Sequence, residues 1–166
     1  SSLYKKTGNA FNDNFIFATP GYNLRPLEMS GAIGSVQLGK WDSIMQTRLE
    51  NAKHFVELFS DKPWCRIQKD LGESSWFTFG MVLDGALKGR RTDVIQALDK
   101  AGIQNRPLAS RNFLNQPVMP NLDHTVIGSM EAADDIHDNG FFVGNGSVAI
   151  KEEISLLYEI ISGMVK

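Results

Sequence analysis

The sequence predicts an α+β fold, with a small and largely antiparallel sheet covered by helices. Three observations predict it. The aromatic and branched run at residues 75–83 has strong strand character. Apolar side chains recur at helical spacing between Leu27 and Phe59. Short loops and mixed strand and helix periods then alternate through the rest of the chain.

Taken in order, Phe15, Ile16 and Phe17 form a short apolar stretch that stops at the turn signal Pro20-Gly21. Pro26 suits the first turn of a helix, and Glu28 favours that helix's positive end. Gly31, Gly34 and Gly39 each weaken the helix that follows by about 1 kcal/mol relative to alanine. The spacing therefore predicts a short helix, a kink near Gly39 and a longer second helix. Trp41, Ile44, Met45, Leu49, Ala52, Phe55, Val56 and Phe59 form the stripe of that second helix. Lys62-Pro63 ends it, and residues 65–68 predict a short strand.

In the strong strand at 75–83, strict alternation puts Phe77, Phe79, Met81 and Leu83 on one face. Trp76, Thr78, Gly80 and Val82 take the other. Thr92 reads as the N-cap of a helix that runs to Ala101 and stops at Gly102. Residues 103–106 predict a strand closed by Pro107, and 108–128 a loop rich in proline and asparagine. A short helix at 129–137 ends at Asn139-Gly140, a brief strand follows at 141–143, and 151–165 predicts a last amphipathic helix. Ile154, Leu157, Tyr158, Ile161 and Val165 share one face of it.

Composition narrows the function classes. The chain has 166 residues, enough for one ordinary domain with a core. Its 42% hydrophobic and 22% charged residues exclude a disordered or fibrous chain. A net charge of -2 offers no footprint for nucleic acid or an anionic membrane. The single cysteine, Cys65, excludes an internal disulfide framework and fits a reducing, cytoplasmic setting. No apolar run is long enough to span a bilayer. Residues 1–10, which open with Ser1 rather than methionine, read either as a cloning scar or as a native surface loop.

Several blocks carry a resemblance. Residues 20–38 contain Gly21-Tyr-Asn-Leu-Arg25, and Gly72-Glu-Ser-Ser-Trp-Phe77 follows. Arg106-Pro107, Asn112-Phe113 and Pro117-Val118 come next, and then Asn139-Gly-Phe-Phe-Val-Gly-Asn145. In this order they resemble the DegT/StrS family of sugar aminotransferases over about residues 12 to 165. The blocks are most similar to the lipopolysaccharide-sugar branch, which holds perosamine-synthase-like aminotransferases and keto-deoxy-sugar dehydratases.

The resemblance implies the small C-terminal α+β domain of a fold-type-I enzyme dependent on pyridoxal phosphate (PLP), with an α/β parent and a long connecting helix. Residues 11–60 would be the tail of the large domain and that helix, and 61–166 the small domain. It implies amination of a keto-deoxy nucleotide sugar for lipopolysaccharide or O-antigen synthesis. Glutamate is the expected donor, and the cytoplasmic parent would be a homodimer with shared active sites. The alternative within the family is a keto-deoxy-sugar 3-dehydratase. Residues 146–150 lack the histidines that often follow the Val-Gly-Asn block in this branch, which counts against that alternative.

By the same resemblance Asn23 reaches the cofactor phosphate of the neighbouring subunit, with Arg25 beside it. The bare pattern allows instead that Asn23 and Pro26 simply start a helix. Arg106, at a strand end before proline, holds a sugar phosphate or a donor carboxylate, or else makes a surface salt bridge. Arg111, Asn112, Ser74, Ser75 and Trp76 are lesser candidates. The family's Schiff-base lysine, histidine in the dehydratases, matches no segment here, so the chain has no catalytic residue of its own and is expected to be inactive alone.

Other chemistries lack their residue patterns. His124, His137 and Cys65 have no metal-ligand spacing, and no metal site is expected. Gly144-Asn-Gly146 is not a phosphate-cradling loop. The rival of another class is a free-standing α+β interaction module without cofactor.

Overall fold

The computed structural model describes residues 8–13, 16, 20–21 and 27–165. Six helices and four strands are formed among them. The helices are α1 (Ala10–Asp13), α2 (Glu28–Leu38), α3 (Trp41–Phe59), α4 (Arg91–Lys100), α5 (Glu131–Asn139) and α6 (Lys151–Gly163). The strands are β1 (Cys65–Ile67), β2 (Thr78–Leu83), β3 (Asn105–Arg106) and β4 (Gly140–Gly144). They make one antiparallel sheet in the order β1-β2-β4-β3. The fold is α+β, as the mixed periods imply.

One face of the sheet carries Phe79, Met81 and Leu83 of β2 with Phe141 and Val143 of β4, all buried. Against it pack Phe55 and Phe59 of α3, Val94 and Leu98 of α4, and Ile154, Leu157 and Ile161 of α6. Phe55 stacks on Phe59 at 4.6 Å and on Phe79 at 4.3 Å between ring centroids, so the helix stripe and the strand meet through aromatic rings. The opposite face is half covered. Gly140 lies so close to α5 that an added Cβ would meet the Ile136 carbonyl oxygen at 2.4 Å and Leu108 Cδ1 at 2.7 Å. Only glycine allows that approach. The other end of this face, around Thr78, Phe142 and Gly144, stays open.

The break near Gly39 occurs where the sequence puts it, with a turn at Gly39-Lys40 between α2 and α3. Other expectations need correction. The strong strand begins at Thr78, because Trp76 takes a left-handed conformation with φ 47°. That twist inverts the alternation, so Trp76 is buried and Phe77 is 70% exposed. Thr92 is no cap: α4 starts at Arg91, after Arg90 with no side-chain cap bond. Gly102 does end that helix, at φ 75°. The strand after it shrinks to Asn105–Arg106. The apolar stretch Phe15–Phe17, Ile16 apart, and Pro26 fall outside the described residues.

No described helix is long and apolar enough to cross a membrane. No described cluster of three histidine, cysteine or acidic side chains can hold a metal.

Candidate functional site: a cleft between two arginines

The open end of the sheet forms a cleft of about 490 Å3. Arg106 and Asn105 on β3, Phe142 and Gly144 on β4, and Phe77 and Arg48 line it. Arg106 pairs in register with Phe142, which places it on the open face. Among the described residues it is exposed and makes no ion pair, so the surface salt bridge is absent. Asn105 turns away and donates to Asp99 Oδ1 at 2.8 Å.

Arg48 is the residue the sequence reading passed over. It lies on α3 at the spacing 48, 52, 55, 59, the same face as the buried Ala52, Phe55 and Phe59. A cation on a core-facing stripe was the available signal. Where that stripe runs past the sheet, the Arg48 guanidinium carbon stands 5.3 Å above the centre of the Phe77 ring. Its Nε is buried without a hydrogen-bond partner.

A pair of buried amides holds this corner. Asn145 Nδ2 donates to the carbonyls of Trp76 at 2.7 Å and Arg48 at 3.1 Å. Its Oδ1 accepts from Asn51 Nδ2 at 3.1 Å, and Asn51 also donates to the Val148 carbonyl and accepts from the Ile150 amide. The Asn145 backbone amide donates to the Phe77 carbonyl, and Ser74 Oγ accepts from the Trp76 amide. A left-handed tryptophan costs about 1–2 kcal/mol. These bonds hold the residue there, and the outcome is an aromatic ring turned out beneath a guanidinium.

Other candidates prove structural. Arg111 donates to Asn12 Oδ1 at 2.6 Å, and the buried Asn112 donates to Asp134 Oδ1 at 2.7 Å, both outside the cleft. Ser74 caps its own turn and Trp76 is core. His54 joins α3 to α6 through Ser155 Oγ at 2.9 Å. His137 is held below the usual histidine range by burial first, then by Arg111 and Arg91. Asn23 and Arg25 lie outside the described residues. A larger hollow of about 970 Å3 runs beside the edge strand β1. Its Arg66 is engaged by Asp84 at 3.0 Å and by Asp135, so its charge is already answered. The smaller cleft, whose Arg106 makes no ion pair among the described residues, is therefore the candidate site.

Comparison with known proteins agrees on one family. The pattern of the DegT/DnrJ/EryC1/StrS aminotransferase family matches residues 2–159. GDP-4-keto-6-deoxy-D-mannose 3-dehydratase of Yersinia pseudotuberculosis is 42% identical over 95% of this chain. The chain spans 40% of that relative's length. A solved GDP-4-keto-6-deoxymannose-3-dehydratase mutant with bound GDP-perosamine superposes at a TM-score of 0.77, with 39% identity over 94% of this chain and 41% of its own. A second solved structure of a dehydratase of this name holds a trapped PLP–glutamate geminal diamine. It gives a TM-score of 0.76 at 40% identity, covering 93% of this chain and 40% of its own. PLP is thus bound in this group, and these relatives are dehydratases rather than aminotransferases. The missing histidines after Asn145 did not exclude a dehydratase likeness. The chain belongs to the DegT/DnrJ/EryC1/StrS aminotransferase family.

Proposed function

We propose that this chain is part of a PLP-dependent 3-dehydratase acting on a GDP-bound 4-keto-6-deoxy sugar for cell-surface polysaccharide. The observation that carries the proposal is the identity of about 40% to dehydratases over more than nine-tenths of the chain. In this reading residues 11–60 lead out of a large domain and 61–166 form the small one. Asn23 and Arg25 meet the cofactor phosphate of a second copy in a cytoplasmic homodimer, and Arg106 faces the nucleotide sugar.

The chemistry of the cleft sets limits on what this chain does. Its lining offers guanidinium and amide donors and no lysine, histidine or carboxylate. Such donors suit an oxyanion, and the cofactor's aldehyde and ring nitrogen find no partner among them. PLP, when bound, supplies the electron sink. The part of this chain is to bind and orient: Arg106 offers a guanidinium fork to an oxyanion, and Asn145 holds the Arg48–Phe77 wall. Proton transfer belongs to a group outside the cleft's described residues.

The test is the fate of nitrogen. Full-length protein, loaded with PLP, is given the keto-deoxy GDP-sugar and 15N-glutamate. A dehydratase releases the label as ammonium and leaves a sugar without nitrogen. An aminotransferase delivers the label into the sugar, and that product overturns the proposal.

A further inference from the structure

Arg48 and Phe77 do nothing for the fold that smaller, uncharged residues would not do better. A guanidinium at a core-facing position of α3 gives up part of its hydration, and its buried Nε has no partner. An apolar ring at 70% exposure forgoes burial, and it is held there by a left-handed Trp76 and the Asn145 bonds. The Arg48 guanidinium carbon stands over the Phe77 ring, and its Nε makes no hydrogen bond among the described residues. Arg106 enters the same cleft from β3. No carboxylate lines the cleft, so its walls supply no counter-charge to either cation. Gly144 and Gly146 keep side chains off one side of it.

We infer that this cleft is a two-guanidinium site for the diphosphate of the nucleotide substrate, with Arg48 as its inner cation and Arg106 as its outer one. The inference rests on the nucleotide-sugar reading above. Two guanidinium forks match a diphosphate, which carries two phosphoryl groups and at least two negative charges. Glutamate, with two carboxylates, is the competing ligand, and the calorimetry below separates the two. Arg48 is thereby a binding residue of the substrate, and Asn145, itself bonded by Asn51, positions it by holding the Arg48 carbonyl and the Trp76–Phe77 turn.

The test is calorimetry on full-length, PLP-loaded protein, with GDP and then glutamate as probes. Arg48→Gln and Arg106→Gln are each expected to weaken GDP about tenfold or more. Glutamate affinity and the coenzyme absorbance stay as in the wild type. Arg48→Lys keeps an aliphatic stem and the charge but loses the fork, and is expected to weaken GDP by less than the glutamine variant. It also guards against a glutamine variant that fails to fold. If folded, coenzyme-loaded Arg48→Lys and Arg48→Gln both bind GDP within twofold of wild type, the inference is overturned while the dehydratase reading stands. Loss of glutamate binding with GDP affinity intact overturns it equally, and assigns the cleft to the donor. A wild-type protein that takes up neither coenzyme nor GDP overturns the functional reading, and the inference with it.

Discussion

Cys65 shows how one side chain's surroundings become a solution property. It is 4% exposed at the start of β1, paired in register with Leu83, and burial pushes its thiol up to about 12 from an ordinary 9.0. A nearby Lys62 pulls the other way and loses. Between those two values the unfolded chain ionises its thiol while the folded chain does not. The contribution is therefore complete below pH 9.0 and is lost as pH climbs towards about 12. Stability should fall by about 1.4 kcal/mol per pH unit in that window on account of this group. Urea titrations at several alkaline pH values check it: Cys65→Ala should remove that part of the slope, and an unchanged slope refutes the assignment. The same burial makes the thiol a poor nucleophile, which fits a packing role.

At the scale of elements, the cleft depends on how α3 is tied to the end of β4. Asn145 bridges the Arg48 carbonyl on α3 and the Trp76 carbonyl before β2, and it takes a bond from Asn51. Asn145→Ala leaves the Trp76 carbonyl without this partner in a buried place and removes one bond each from the Arg48 carbonyl and the Asn51 amide, which keep their helix and Val148 partners. The expected cost is about 1–3 kcal/mol for a buried group left unsatisfied. The substitution should also free Trp76 to return to extended backbone and draw Phe77 inward. Chemical denaturation measures the first effect. A blue shift in tryptophan fluorescence without loss of stability would be the wrong pattern. A second tie acts on the far side of the sheet, where Asp135 of α5 meets Arg66 of β1 and Lys88. Burial alone would raise the Asp135 carboxyl, but bonds from Arg66, Lys88 and Asn139 hold it below the usual range.

For the whole molecule, the telling feature is a helix that buries none of its residues. In α2, Met29, Ile33, Val36 and Leu38 are each at least 60% exposed. Leu27 and Trp41 extend the patch at 79% and 55% exposure. An apolar surface of this kind marks a contact with other protein. In the proposed homodimer it is covered by the remaining part of the protein or by the second copy. Ile33→Glu with Val36→Glu in full-length protein should shift gel filtration from dimer towards monomer and lower cofactor retention, because Asn23 and Arg25 would lose the neighbouring phosphate. A stable, cofactor-loaded dimer carrying both changes would show that α2 is not that contact.

The sequence by itself determined the element order, the antiparallel α+β class, the break at Gly39 and the stops at Gly102 and Asn139-Gly140. It also carried the family, because ordered blocks such as Gly21-Tyr-Asn-Leu-Arg25 persist along the chain. These are local matters of turn chemistry, periodicity and residue order. Tertiary structure alone decided that Phe77 leaves the core, that Arg48 joins Arg106 across one cleft, and that Arg111 and Asn112 do not. The exposure of Phe77 hinges on a left-handed Trp76 held by Asn145, a residue 69 positions away, while Arg111 and Asn112 are drawn elsewhere by Asn12 and Asp134. No local pattern encodes a bond of that span, so alternation read along the strand placed Phe77 on the wrong side.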